Sequence, residues 1–270
     1  NAAIRLDSVK NCVIEGNKFK NNFFGIYLAK SHHCKIVNNE IIASNMKESY
    51  SGNGIHLWYC RDIYINGNRI KGHRDGMYLE FVRHSNIENN YSEKNIRYGL
   101  HFMFSDSCSY SNNTFTNNGA GVAVMYTHNV TMTENKFELN WGGGAYGLLL
   151  KEISDSRIEN NYFYKNSSGI YIEGCTRIKT TGNNFIENGW AIRLMANSME
   201  NIFERNNFTG NTFDISTNSI KNYNTFNNNY WSEYKGYDLN KDGIGDIPYH
   251  PVKLFSVITE RNRPTLILLR

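Results

Sequence analysis

The chain has 270 residues, enough for one large domain or two ordinary ones, and its 40% hydrophobic and 14% aromatic content excludes a disordered polymer. It carries 41 asparagines against 3 prolines, and because asparagine is a poor residue for helix interiors a mainly helical fold is excluded as well. A net charge of +4 with no basic stripe argues against a nucleic-acid partner, and no apolar run approaches the roughly 20 residues that span a bilayer.

From the N-terminus onward the sequence repeats itself. An aliphatic-x-x-Asn-x-apolar unit appears at Ile14 to Phe19, Ile36 to Ile41 and Ile65 to Ile70. Its asparagine returns as Asn89, Asn113, Asn135, Asn161, Asn183, Asn206 and Asn228, in steps of about two dozen residues. A second column keeps the same phase. It reads Gly25-Ile26-Tyr27-Leu28, Gly54-Ile55-His56-Leu57, Gly76-Met77-Tyr78-Leu79 and Gly99-Leu100-His101-Phe102, then Gly121, Gly147 and Gly169 with their followers. Short apolar/polar alternations punctuated by Asn and Gly predict strands with one buried face and tight left-handed bends. Stacked in register they give an all-β, right-handed parallel β-helix of about ten coils over residues 1–230, with asparagine side chains bonded coil to coil. Ala3 already occupies the glycine column, so earlier coils, like any targeting segment, are expected to be missing before Asn1.

Two steps are oversized, one carrying residues 44–51 and the other residues 141–146; insertions in solenoids map to loops. In each Gly-Ile-x-Leu unit the residue between the apolar pair points outward. That column holds Tyr27, His56, Tyr78, His101, Ala123, Leu149, Tyr171 and Arg193, and two residues on it holds Trp58, Glu80, Met103, Met125, Lys151, Glu173 and Met195. Imidazole plus thioether suits Cu(I), so His101, Met103 and Met125, with His56 and Glu80 beside them, are the candidate copper ligands; the alternative is an adaptable partner platform. Trp58, Tyr78, Met195 and Trp141 are the expected partner-facing residues.

The five cysteines cannot all pair, and Cys12, Cys34 and Cys108 fall where other coils carry serine, which points to packed thiols at bends. Acidic residues such as Asp62, Asp75, Asp106 and Asp155 share no column, so no catalytic carboxylate pair is visible and an enzyme is not expected. After Trp231 the repeat ends, and residues 231–270 form an expected cap. Within it Asp238, Asn240, Asp242 and Asp246 resemble the start of a Ca²⁺ loop, although Tyr249 stands where the bidentate Glu belongs; the alternative is a metal-free Asp/Gly turn.

The runs Arg74-Asp75-Gly76-Met77-Tyr78-Leu79-Glu80-Phe81 and Arg97-Tyr98-Gly99-Leu100-His101-Phe102-Met103-Phe104, with the ending Asn229-Tyr230-Trp231-Ser232 through Tyr249, resemble the NosD family. That resemblance implies a periplasmic accessory protein that works with an ABC-type ATPase and membrane subunit. It implies a role in maturing the copper sites of nitrous oxide reductase, with transient Cu(I) delivered by a copper-carrying lipoprotein. A polysaccharide-binding or polysaccharide-cleaving β-helix is the alternative function.

Overall fold

The computed structural model describes residues 2–44, 47–219 and 221–261; Asn45 and Met46 of the first insertion and residues 262–270 of the expected cap lie outside them. Three ten-stranded parallel sheets wind around one apolar core, each coil adding one strand to every sheet. The first sheet runs Ala2–Asp7, Phe24–Ala29, Ile55–Trp58, Met77–Glu80, Tyr98–Met103, Ala120–His128, Leu148–Ser154, Ser168–Glu173, Trp190–Leu194 and Phe213–Thr217. The strands are short because every coil must turn three times, and the corners are taken by residues in left-handed backbone such as Asn11 (φ 54°), Asn21 (φ 52°) and Asn89 (φ 54°).

The glycine column has a steric cause. A Cβ on Gly54 would lie 2.6 Å from the Gly76 carbonyl oxygen, and one on Gly99 would lie 2.7 Å from that of Gly121, so successive coils approach closer there than a side chain permits. Alternation then turns Ile26, Leu28, Ile55, Leu57, Met77, Leu79, Leu100 and Phe102 inward, all fully buried. On the third sheet Phe115, Phe137, Phe163, Phe185, Phe208 and Trp231 form one continuous ring stack, with centroids 4.2–5.6 Å apart.

The asparagine column behaves as expected. The Asn113 amide donates to Asn135 Oδ1 at 3.0 Å, Asn135 to Asn161 at 3.0 Å and Asn161 to Asn183 at 3.0 Å, and each backbone N–H donates to the same oxygen. Two rungs differ from the sequence reading. Asn90 and Asn229, not Asn89 and Asn228, bond within the ladder, while Asn89 and Asn228 take the left-handed corner one residue earlier. A second amide ladder, Asn95 to Asn118 and then Asn140, Asn166, Asn188 and Asn211, was not anticipated.

The segment after the last coil packs back on the C-terminal coils. Tyr249 packs on Trp231 at 5.1 Å, and Val252 pairs with Ile215 beyond the last strand of the first sheet. A helix, Leu254–Arg261, follows on the outer side of that sheet, where Glu260 takes a bidentate ion pair from Arg193 (2.6 and 2.7 Å) and a hydrogen bond from Ser216 (2.9 Å).

Candidate functional site on the first sheet

The register places the candidate copper ligands side by side. Met103 pairs with Met125 in the next coil, His101 lies two residues before Met103 on the same strand, and Glu80 pairs with both Met103 and Trp58. With coils about 4.8 Å apart and about 6.6 Å between alternate residues, the three soft groups fall within roughly 10 Å on one face. Both methionines are half-exposed.

His101 is outward in the alternation yet only 6% exposed. Tyr98 lies against its ring at 4.8 Å, Tyr78 meets it edge-on at 5.0 Å, and Arg97 covers Tyr98 at 5.1 Å. Burial, then the charges of Arg97 and Arg74, hold its pKa down at about 4, so the imidazole is neutral at neutral pH. His56 belongs to a different arrangement. It is sandwiched between Tyr27 (4.7 Å) and Tyr78 (4.8 Å), and its Nδ1 lies 2.9 Å from the Asn53 amide nitrogen. The donor and acceptor in that contact depend on the imidazole tautomer.

Behind His101 lies a buried polar cluster that column reasoning set aside. Asp75 is fully buried; its Oδ2 sits 3.5 Å from Arg74 Nε and 4.0 Å from His101 Nδ1, and its Oδ1 sits 3.7 Å from Arg97 Nε. Burial raises the Asp75 pKa against the opposing pull of Arg97 and Arg74. Seven of the twelve buried side-chain polar atoms without a hydrogen-bond partner among the described residues fall here: Asn53 Oδ1, both nitrogens of His73, Arg74 Nε, Asp75 Oδ2 and both nitrogens of His101. His73 stands in the second amide ladder where later coils carry asparagine; its backbone N–H donates to Asn95 Oδ1 at 3.1 Å, and its ring lies beside the Gly52 backbone. The first insertion closes over the cluster: Glu48 pairs with Arg97 at 3.2 Å, and the Arg74 N–H donates to the Gly52 carbonyl at 2.9 Å. A signal for the cluster existed in the sequence, since the position before each glycine is neutral in neighbouring coils (Asn53, Tyr98, Ala120) and acidic only at Asp75.

The other expected residues scatter. Trp58 and Tyr78 are half-exposed on this face, and Trp141 is 66% exposed in the second insertion. Met195, expected at a partner surface, is only 8% exposed and is buried instead. Ala123, Leu149 and Arg193 of the outward column are buried too, Arg193 beneath Glu260 of the helix. Cys34, Cys60, Cys108 and Cys175 are buried free thiols. In the Asp/Gly loop the carboxylates serve the backbone. Asp238 accepts from the N–H of Asp242 and Gly243, Asp242 from that of Ile244, and Asp246 from that of Leu239. Among the described residues no three His, Cys, Asp or Glu side chains converge as a metal site.

These features define a parallel β-helix with a thioether and imidazole face on its first sheet. Solved structures share the fold at low identity. They include a periplasmic alginate epimerase AlgG mutant (15% identical, TM-score 0.64, covering 84% of this chain and 72% of that one) and the Azotobacter vinelandii mannuronan C-5 epimerase AlgE4 A-module (14%, TM-score 0.59, 81% and 76%). A tailspike mutant of bacteriophage HK620 in complex with pentasaccharide is a third (16%, TM-score 0.62, 83% and 47%). Residues 38–236 match the family described as periplasmic copper-binding protein (NosD), and the chain belongs to that family. Curated relatives named probable ABC transporter binding protein NosD are 29% identical over 262 residues in Pseudomonas aeruginosa and 27% over 269 residues in Stutzerimonas stutzeri. They cover 90% and 93% of this chain, which spans 60% and 61% of their lengths.

Proposed function

We propose that the protein is a non-catalytic periplasmic accessory factor that handles Cu(I) during maturation of the copper sites of nitrous oxide reductase. In this reading it works beside an ABC ATPase and membrane subunit, and it receives the ion from a copper-carrying lipoprotein. The family description supports copper and the periplasm, and the printed names of the relatives support the transporter. Among the described residues no helix is long and apolar enough to cross a membrane.

The observation that carries the reading is the Met103–Met125 pair in register beside a neutral His101. Two thioethers and an imidazole suit a soft monovalent cation and hold it without the tight grip of thiolates, so the ion can be passed on. Met103 and Met125 meet the ion first because they are half-exposed, and His101 closes the set from beneath Tyr98. Trp58, Tyr78 and Trp141 are the partner-facing rings.

Competition titration with a Cu(I) chelator tests this. Loss of each ligand should weaken binding by about tenfold, or about 1.4 kcal/mol. Combined His101→Ala, Met103→Ala and Met125→Ala should therefore abolish stoichiometric uptake. Equal uptake by the parent and the triple variant would remove these residues from the account.

A further inference from the structure

One corner beside the methionine column carries aromatic rings where other coils carry small or polar residues. The column reads Ser8, Lys30, Tyr59, Phe81, Phe104, Tyr126 and Glu152, all in left-handed backbone, with φ 52°, 54°, 48° and 54° for the four aromatics. Asparagine or glycine suits that backbone better than a bulky ring, so the turn itself does not call for aromatics. The four rings stack face to face, at 4.5 Å for Tyr59 on Phe81, 5.4 Å for Phe81 on Phe104 and 5.2 Å for Phe104 on Tyr126. Tyr59, Phe104 and Tyr126 are nevertheless 51%, 39% and 43% exposed.

Stacking consumes the ring faces inside the ladder, so a face is free only at an end. The ladder ends at Tyr59 because the preceding coil has Lys30 in that place, with its ammonium 5.7 Å over the neighbouring Trp58 ring. Trp58 stands at 86° to Tyr59, so the two rings form a corner. That corner opens into a groove of about 510 Å³ lined by Lys30, Ser31, His32, Trp58, Tyr59 and Arg61. Two cations border it, Lys30 and Arg61; Arg61 is 63% exposed and, among the described residues, its guanidinium pairs only with Asp62, at 3.9 Å.

We propose that this groove binds an acidic sugar, a hexuronate unit of an oligosaccharide. Its C–H face lies on the free face of Tyr59, and its carboxylate lies between Lys30 and Arg61. The groove holds one to a few sugar rings, and its charge matches an anion. A flat apolar protein surface would use the exposed edges along the whole ladder instead. The groove shares Trp58 with the first-sheet face, but its ligand would bind without copper.

The test is calorimetric titration of the protein with trigalacturonate, with maltotriose as the neutral counterpart. Tyr59→Asn keeps a residue suited to left-handed backbone, and Arg61→Gln removes the charge; each should weaken trigalacturonate binding by tenfold or more. Phe104→Asn, in mid-ladder, and His101→Ala, at the copper face, should leave it unchanged. Maltotriose binding as tightly as the acid, no trigalacturonate binding at millimolar concentration, or an unaffected Tyr59→Asn variant would each overturn the proposal. So would equal loss in Phe104→Asn, which would mark the whole ladder as a protein-docking surface.

Discussion

At the scale of single residues, the informative positions are those where this chain breaks its own rule. His73 interrupts an amide ladder with a buried imidazole, and burial holds its pKa down at about 4. His101 is held down to about 4 as well. Both are neutral when folded, whereas in the unfolded chain they take up protons below about pH 6.5. Their contribution to stability is therefore fully present above about pH 6.5 and is lost as pH falls toward 4. Asp75, with its raised pKa, acts in the opposite sense and recovers part of that loss as it protonates. Replacing His73 by asparagine completes the ladder, donating to Asn95 as later rungs do. His73→Asn should stabilise the protein by about 1–3 kcal/mol, the cost of leaving buried polar groups unpaired. It should also flatten the fall in urea midpoint between pH 7 and pH 5. A lower midpoint at pH 7 would show that the histidine is bonded in solution.

At the scale of elements, two adjacent asparagines do different work. Asn90 Nδ2 reaches Asn113 Oδ1, Ile65 O and Glu88 O, and its own Oδ1 accepts from Asn68; Asn89 sits at the left-handed corner, and among the described residues its side chain bonds only exposed amides. Asn90→Ala should cost about 2–3 kcal/mol by leaving buried partners unpaired. Asn89→Ala should cost about 1 kcal/mol through backbone strain, and Asn89→Gly almost nothing. Chemical denaturation of the three variants reads these costs directly, and equal costs for the two alanine variants would contradict the assignment. The first insertion is a second case. Its Glu48 holds Arg97, which lies over Tyr98 and so over His101. Glu48→Gln should speed Cu(I) loading several-fold in stopped-flow mixing. It should change stability by less than about 1 kcal/mol, because the pair is exposed. Unchanged loading would mean that Arg97 does not gate the imidazole.

At the scale of the whole molecule, stability is a sum over coils that touch only their neighbours, so damage stays local. Glu260→Ala would leave Arg193 buried and unpaired, at about 3–5 kcal/mol. Hydrogen exchange should then show the helix and the last coils opening while the early coils keep their protection. The sequence made the coil count and the inward columns legible because a period imposed by stacking repeats every two dozen residues. It also placed Met103 beside Met125, since register alone decides which residues meet across coils. What it hid are contacts that register does not set. Tyr98 folds over His101, the terminal helix covers Arg193, and the insertion brings Glu48 to Arg97 across a long stretch of chain. Asp75 was passed over for a related reason, since it works from a corner and not from a strand column.

The most direct test of the copper account is X-ray absorption at the copper edge of the protein loaded with one equivalent of Cu(I). The account predicts a shell of sulfur neighbours with imidazole scattering, and loss of that sulfur shell when Met103 and Met125 are both changed to leucine. A sulfur shell that survives the double substitution would place the metal on other sulfur atoms of the chain and contradict it.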